Sequence, residues 1–431
     1  MMEVIDRTLA PAFKNVDDIG LSDVKKQTLS NGWPLLTLRA GIEEVVRIQW
    51  AFHLSGNNRS GFMADRAANA MMRDGTGNRD SRQIALELDG SGSHLGLSVE
   101  GNLAHVTLYT LSSQITAILP LVKDLITNSV YNQPAFDLYL QSQRQSLMVN
   151  RKKVSFMSRK AFKESILGKD HLNGFVIDDH DLEVLSPEGI REAAREVYMQ
   201  RGAYVMMAGQ WPDGVEAAID DVVKDIPCIG MPEAIIKSEE KVIKPGRKLE
   251  VINGTVQAAI RMGMPSINRA HEDFPALFVT NTVLGGYFGS RLMSNIREDK
   301  GFTYGIGSGL VSLPGAGYFF ITTEVGADVC RQAIDEIYKE VNRLKNDEVP
   351  EEELSLVRNY ILGSLMRSAD GPFSQADVQL GLINLGLDIS YFSNLVNKVK
   401  TVQPDEILAM ANKYWDTGAF VEIVAGPAGC C

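Results

Sequence analysis

The chain has 431 residues, 45% of them apolar and 23% charged, more than one ordinary hydrophobic core takes and too apolar for a disordered polypeptide. Its 54 acidic against 43 basic side chains leave a formal net charge of −11, a field that repels nucleic-acid backbones and offers no general attraction to anionic membranes. No uncharged apolar stretch approaches the roughly 20 residues of a membrane helix, and residues 1–41 lack the basic-then-apolar order of a signal peptide. The chain as written therefore reads as soluble and cytoplasmic, or as exported if a leader has been removed. Four cysteines, Cys228, Cys330, Cys430 and Cys431, are too few and scattered to predict a disulfide framework. They fit a reducing compartment, with Cys430-Cys431 read as a plain tail rather than a soft-metal site or lipid anchor.

In chain order, Val46, Ile48, Trp50 and Phe52 alternate as a strand with one polar face. Gly92-Ser93-His94-Leu95-Gly96 opens a strand pair continued by Leu103, His105, Thr107 and Tyr109. Ile115, Ile118, Leu119, Val122, Leu125 and Ile126 follow at helical spacing, and a second helix runs through Leu138 to Leu147 after Pro134. Leu185-Ser186-Pro187-Glu188-Gly189-Ile190 then leads through Tyr198 to Gly202-Ala203-Tyr204-Val205 and Ala208-Gly209. The order recurs half a chain later. A strand pair opens at Gly301-Phe302-Thr303-Tyr304-Gly305, and helical spacings run from Ala333 to Leu344 and, after Pro350, from Leu354 to Leu365. Val402-Gln403-Pro404-Asp405-Glu406-Ile407 then leads through Tyr414-Trp415 to Gly418-Ala419-Phe420-Val421 and Ala425-Gly426. Pro187 and Pro404 both sit where a first helical turn tolerates a missing N–H.

The repeat predicts an α+β protein of two homologous halves, each a largely antiparallel sheet covered by helices. The expected division is residues 1–226, a polar connector over 227–248, and residues 249–431.

Thr28-Leu29-Ser30-Asn31-Gly32, the strand ending at Gly56, the helix closing on Gly75-Thr76 and the block from Gly285-Gly286 to Tyr304 together resemble the pitrilysin/insulinase family of zinc peptidases, over about residues 25–427. The resemblance implies an inverted H-x-x-E-H motif on the first long helix, in which two histidines one turn apart hold zinc and the glutamate activates water. A further glutamate on a later helix completes the metal shell.

In this sequence the motif falls on Arg66-Ala67-Ala68-Asn69-Ala70. Arg66 brings a fixed positive charge, Ala70 has no donor atom and Asn69 cannot take a proton from water. The helix expected to supply the further ligand reads Gln141-Ser142-Gln143-Arg144-Gln145-Ser146, without glutamate. None of the six histidines (His53, His94, His105, His171, His180, His271) is spaced to put two on one helix face. They read as packing or hydrogen-bonding residues, with an improvised site at His171, Asp178, Asp179 and His180 as the alternative.

The second-half segment Ser290 to Tyr304 keeps the family pattern. The resemblance implies that Arg297 and Tyr304 hydrogen-bond backbone carbonyls of a bound peptide near the cleaved bond, as guanidinium and phenol groups can. The alternative pairs Arg297 with Glu298 or Asp299 and packs Tyr304 in a strand. Gly285-Gly286 reads as a helix-end turn, since no Lys-Ser or Lys-Thr follows to make a phosphate loop. A serine or cysteine hydrolase has no local signature.

The resemblance thus implies a non-catalytic chain without its own metal or other cofactor. Its expected partner is a homologous subunit that bears H-x-x-E-H and supplies the zinc, the pair enclosing a peptide or unfolded polypeptide. A homodimer could form in isolation. The rivals are a structural scaffold, as in the respiratory-complex core subunits of this family, and an active zinc peptidase using other ligands.

Overall fold

In this computed structural model, residues 19–231 and 243–431 are described. The first sheet comprises β1 (Lys25–Thr28), β2 (Pro34–Arg39), β3 (Val45–His53), β4 (His94–Glu100), β5 (Leu103–Leu111) and β6 (Gly202–Gly209), in the order β1-β2-β6-β3-β5-β4. The second comprises β7 (Gly246–Val251), β8 (Gln257–Pro265), β9 (Thr303–Leu313), β10 (Ala316–Gly326) and β11 (Val421–Gly426), in the order β7-β11-β8-β10-β9. Setting β2, β6, β3, β5 and β4 beside β7, β11, β8, β10 and β9 makes the two orders coincide. Each sheet has one parallel pair, β2 with β6 and β7 with β11, and the other pairings are antiparallel. The repeat read from the sequence is therefore a repeat of topology.

Local chemistry sets the element ends. Asn58, Asn132 and Ser186 each accept a hydrogen bond from a first-turn N–H, capping the helices Arg59–Met71, Gln133–Asn150 and Pro187–Gln200. Pro134, Pro187 and Pro404 occupy first turns, where no helical bond is lost. The β4–β5 turn passes through Gly101 at φ 56° and the β9–β10 turn through Gly315 at φ 69°, backbone angles that favour glycine. Part of the expected connector lies outside the described residues, and its end, Gly246–Lys248, pairs as strand β7 with β11.

The expectation of one polar face on β3 is corrected. Val46, Ile48, Trp50 and Phe52 do enter one core, beneath helices Ile115–Asn128 and Pro187–Gln200. The opposite face is buried as well, because Ala51 packs with Leu36, Leu38, Tyr204 and Met206 against Ala376 and Leu380. Those last two belong to helix Gly371–Ile383 of the second half. Arg47 on that face is 3% exposed and reaches Asp377 of the same helix at 2.6 Å.

The exchange is reciprocal. Helix Val154–Ile166 of the first half lies across the second sheet, packing Ala161, Phe162 and Ile166 on Tyr318, Val421 and Ile423. Each half lends one helix to the other's sheet, so polar-looking strand faces are sealed by distant sequence.

A second correction concerns cysteine. Cys330, at the start of helix Cys330–Asn346, is bonded to Cys431 across a Cα separation of 6.0 Å. After β11 the chain turns back to that helix, a proximity that a sequence separation of 101 conceals.

Candidate functional site

Helix Arg59–Met71 is anchored to the end of β3 by Asp65. Its buried carboxylate accepts hydrogen bonds from the backbone N–H groups of Ser55 and Gly56, both at 2.8 Å, and from Ser55 Oγ at 2.7 Å. Gly56 meets Gly61 so closely that a Cβ would fall 2.4 Å from the Gly61 carbonyl carbon. On the helix so held, Arg66 and Ala70 stand one turn apart on the exposed side, whereas Asn69 is 2% exposed. The Asn69 amide donates to the His105 carbonyl at 3.2 Å and to the Tyr198 hydroxyl at 3.0 Å.

Arg66, Asn69 and Ala70 line a cavity of about 590 Å³. Gln143 and Tyr139, from helix Gln133–Asn150, form its second wall, so the glutamine of the glutamate-free helix faces the same space. Phe156, Arg159 and Lys163 of the exchanged helix form a third wall, and Phe175–Ile177 close it with Leu97–Val99 of β4. Neither carboxylate nor imidazole is among the lining side chains. A guanidinium, a methyl group and two amides do not make a zinc shell, which needs imidazole, thiolate or carboxylate donors.

The electrostatics run opposite to those of a cation site. Burial draws the Lys163 ammonium below its usual range, and the guanidinium groups of Arg159, Arg261 and Arg66 push it the same way. Burial lifts the Tyr139 phenol to about 12, with Arg66 acting against the rise.

The alternative site at His171, Asp178, Asp179 and His180 is not assembled. Asp178 and Asp181 clamp Arg59, Asp179 pairs with Arg151 at 2.5 Å, and His171 Nδ1 accepts from the Asn173 N–H. His105, 4% exposed, sits 2.8 Å from Gln49, and burial takes its pKa down to about 4. His53 bonds the Gly230 carbonyl at 2.8 Å. Among the described residues, the one cluster with metal-ligand atoms close together is Cys330, Cys430 and Cys431. With Cys330 and Cys431 joined, it offers one free thiol, Cys430.

In the second half, two π-helical turns, Thr282–Gly286 and Met293–Asp299, carry the segment toward β9. Gly285 is needed there for packing. A Cβ would lie 2.6 Å from Ser308 Oγ and 2.7 Å from Ser308 N, so the glycine serves contact with β9. Arg291 holds the segment to Glu353 through two bonds of 2.9 Å, and Asn295 donates to Glu336 and Glu340.

Arg297 then projects with its guanidinium 4.5 Å from the centre of the Phe288 ring, and Tyr304 at the start of β9 is 97% exposed. Among the described residues Arg297 pairs with neither Glu298 nor Asp299, the arrangement expected of a merely solvated helix face. Arg297 and Tyr304 do not line the first-half cavity. Phe288, Arg159 and Lys163 were not legible as site residues in the sequence, although the i, i+4 spacing of Arg159 and Lys163 places both on one helix face.

A family profile described as the peptidase M16 inactive domain matches residues 185–361, across the junction of the halves. Over that stretch the chain is similar to the M16, or pitrilysin/insulinase, family. An M16 inactive-domain structure from Pseudomonas fluorescens superposes with a TM-score of 0.82 at 19% identity, covering 94% of this chain and 99% of that one; at such identity the likeness speaks for the fold. Among curated relatives, an uncharacterized zinc protease, YmxG of Bacillus subtilis (strain 168), is 23% identical over 314 residues, 70% of this chain and 73% of its own. A non-peptidase homolog, YmxG of Helicobacter pylori (strain ATCC 700392 / 26695), is 20% identical over 336 residues, 76% of this chain and 74% of its own. The names of these relatives point in both directions, so the chemistry of this chain rests on its own side chains. No described helix is long and apolar enough to cross a membrane.

Proposed function

We propose that this chain is the non-catalytic subunit of a two-chain M16 peptidase, holding an extended peptide while a homologous subunit bearing H-x-x-E-H supplies the zinc. The observation that carries the reading is the pairing of an unfit metal position, Arg66-Asn69-Ala70 with Gln143, and a face made by half-buried Arg297 and exposed Tyr304 on which Arg297 has no acidic partner among the described residues. A guanidinium spread over the Phe288 ring keeps its N–H groups available to carbonyl oxygens, and an exposed phenol donates one more hydrogen bond. Such donors stabilise negative charge developing on a carbonyl oxygen without touching metal. The relative described as a non-peptidase homolog also supports a non-catalytic role.

The test is a mixing assay. The isolated chain should cleave no unfolded polypeptide. Added to a homologous chain bearing H-x-x-E-H, it should restore zinc-dependent turnover, and Arg297→Ala or Tyr304→Phe should lower that turnover roughly 10- to 1,000-fold while the pair still co-elutes. Wild-type rates from both variants would remove these side chains from the mechanism. Failure of every such partner to gain activity would favour a scaffold instead.

A further inference from the structure

The cavity beside Arg66 gathers cations in a protein whose overall charge is −11. Arg159 and Lys163 lie one turn apart on the exchanged helix and face it from one side, and Arg66 faces it from the motif helix. Among the described residues none of the three has a carboxylate partner. The nearby acids are engaged elsewhere: Asp178 and Asp181 with Arg59, and Glu164 and Asp178 with Lys160. Three like charges around a partly enclosed space of about 590 Å³ repel one another, and the walls of Phe156 and Phe175 screen that repulsion less than open water would. Arg66 and Arg159 are exposed and Lys163 is half-buried, so the repulsion falls chiefly on the Lys163 ammonium, and an anion would relieve it.

The donor chemistry is specific. Guanidinium groups present paired N–H bonds that match two oxygens of one carboxylate or phosphate, and the ammonium adds a mobile donor. We infer that the cavity at the degenerate metal position is an oxyanion-binding site, with Arg66, Arg159 and Lys163 as its donors, for a peptide carboxylate or a free phosphate. A position that holds a divalent cation in active relatives is here suited to the opposite charge. The lowered ammonium pKa of Lys163 agrees, since an anion in the cavity would restore it. The inference needs no partner subunit, and its failure would leave the mixing assay untouched.

Isothermal titration of the full chain tests it, using inorganic phosphate and one peptide made in two forms, with a free C-terminal carboxylate and with a C-terminal amide. Saturable binding at one site is expected, weakened roughly 10-fold by Arg159→Gln or by Lys163→Met, lost in the double variant and diminished by added salt. Because each substitution removes uncompensated positive charge, the unliganded variants should melt no lower than wild type, which separates loss of binding from loss of folding. Preference for the carboxylate peptide over its amide assigns a peptide terminus, and binding of phosphate alone assigns a free oxyanion. No saturable binding of either, or affinities that the double variant leaves unchanged, overturns the inference.

Discussion

Asn69 spends both of its amide hydrogens inside the first half, on the His105 carbonyl and the Tyr198 hydroxyl. A carboxylate in the same place would point a negative oxygen at a carbonyl oxygen in a buried setting. Asn69→Asp should therefore cost roughly 2–4 kcal/mol in urea unfolding at neutral pH, and recover in part on acidification as the new carboxyl is protonated. An unchanged midpoint would mean that the amide bonds contribute nothing. His105 gives a second residue-scale expectation. Its folded pKa, about 4, lies below the usual value of about 6.5, so the unfolded chain binds more protons between those limits. The contribution is fully present above the unfolded pKa and is lost as pH falls from about 6.5 to about 4, at up to about 1.4 kcal/mol per pH unit. His105→Gln should flatten the melting profile over that interval, and a profile as steep as wild type would refute the assignment.

At the scale of elements, the two exchanged helices do most to determine what the cavity is. Helix Val154–Ile166 sends Phe162 into the second sheet and Arg159 with Lys163 into the first-half cavity, so one helix links the packing of one half to the charge of the other. Phe162 is fully buried, and Phe162→Ala should cost about 3–5 kcal/mol in chemical denaturation. Loss of less than about 1 kcal/mol would show that this contact is not what fixes the helix. Helices such as Pro187–Gln200 and Pro404–Tyr414 were legible from their spacing and their prolines, because those signals are local. The two exchanged helices were not read from the sequence, and neither was their crossing from one half to the other. Arg47 on β3 reads as a solvent-facing residue, and only the arrival of Asp377 and Phe373 from the far half makes a buried position tolerable for it.

For the whole molecule, the duplication was legible because Pro187 and Pro404 begin matching helix–strand units, and those strands, β6 and β11, take equivalent places in the two sheets. The expectation of an unfit metal position at Arg66 and Ala70 rests on residue type alone and was open to reading from the sequence, and the structure adds that both line one cavity with Asn69. The cations beside it were not legible, because Arg159 and Lys163 reach the cavity from three-dimensional packing rather than from any motif. The Cys330–Cys431 bond escaped for the same reason. The account turns on a cationic pocket beside Arg66, Asn69 and Ala70, the positions onto which the family resemblance maps the zinc motif. Crystals grown with excess zinc and measured at the zinc absorption edge test this most directly. We predict no anomalous peak in the cavity among Arg66, Asn69, Ala70 and Gln143; an ordered zinc ion coordinated there would contradict it.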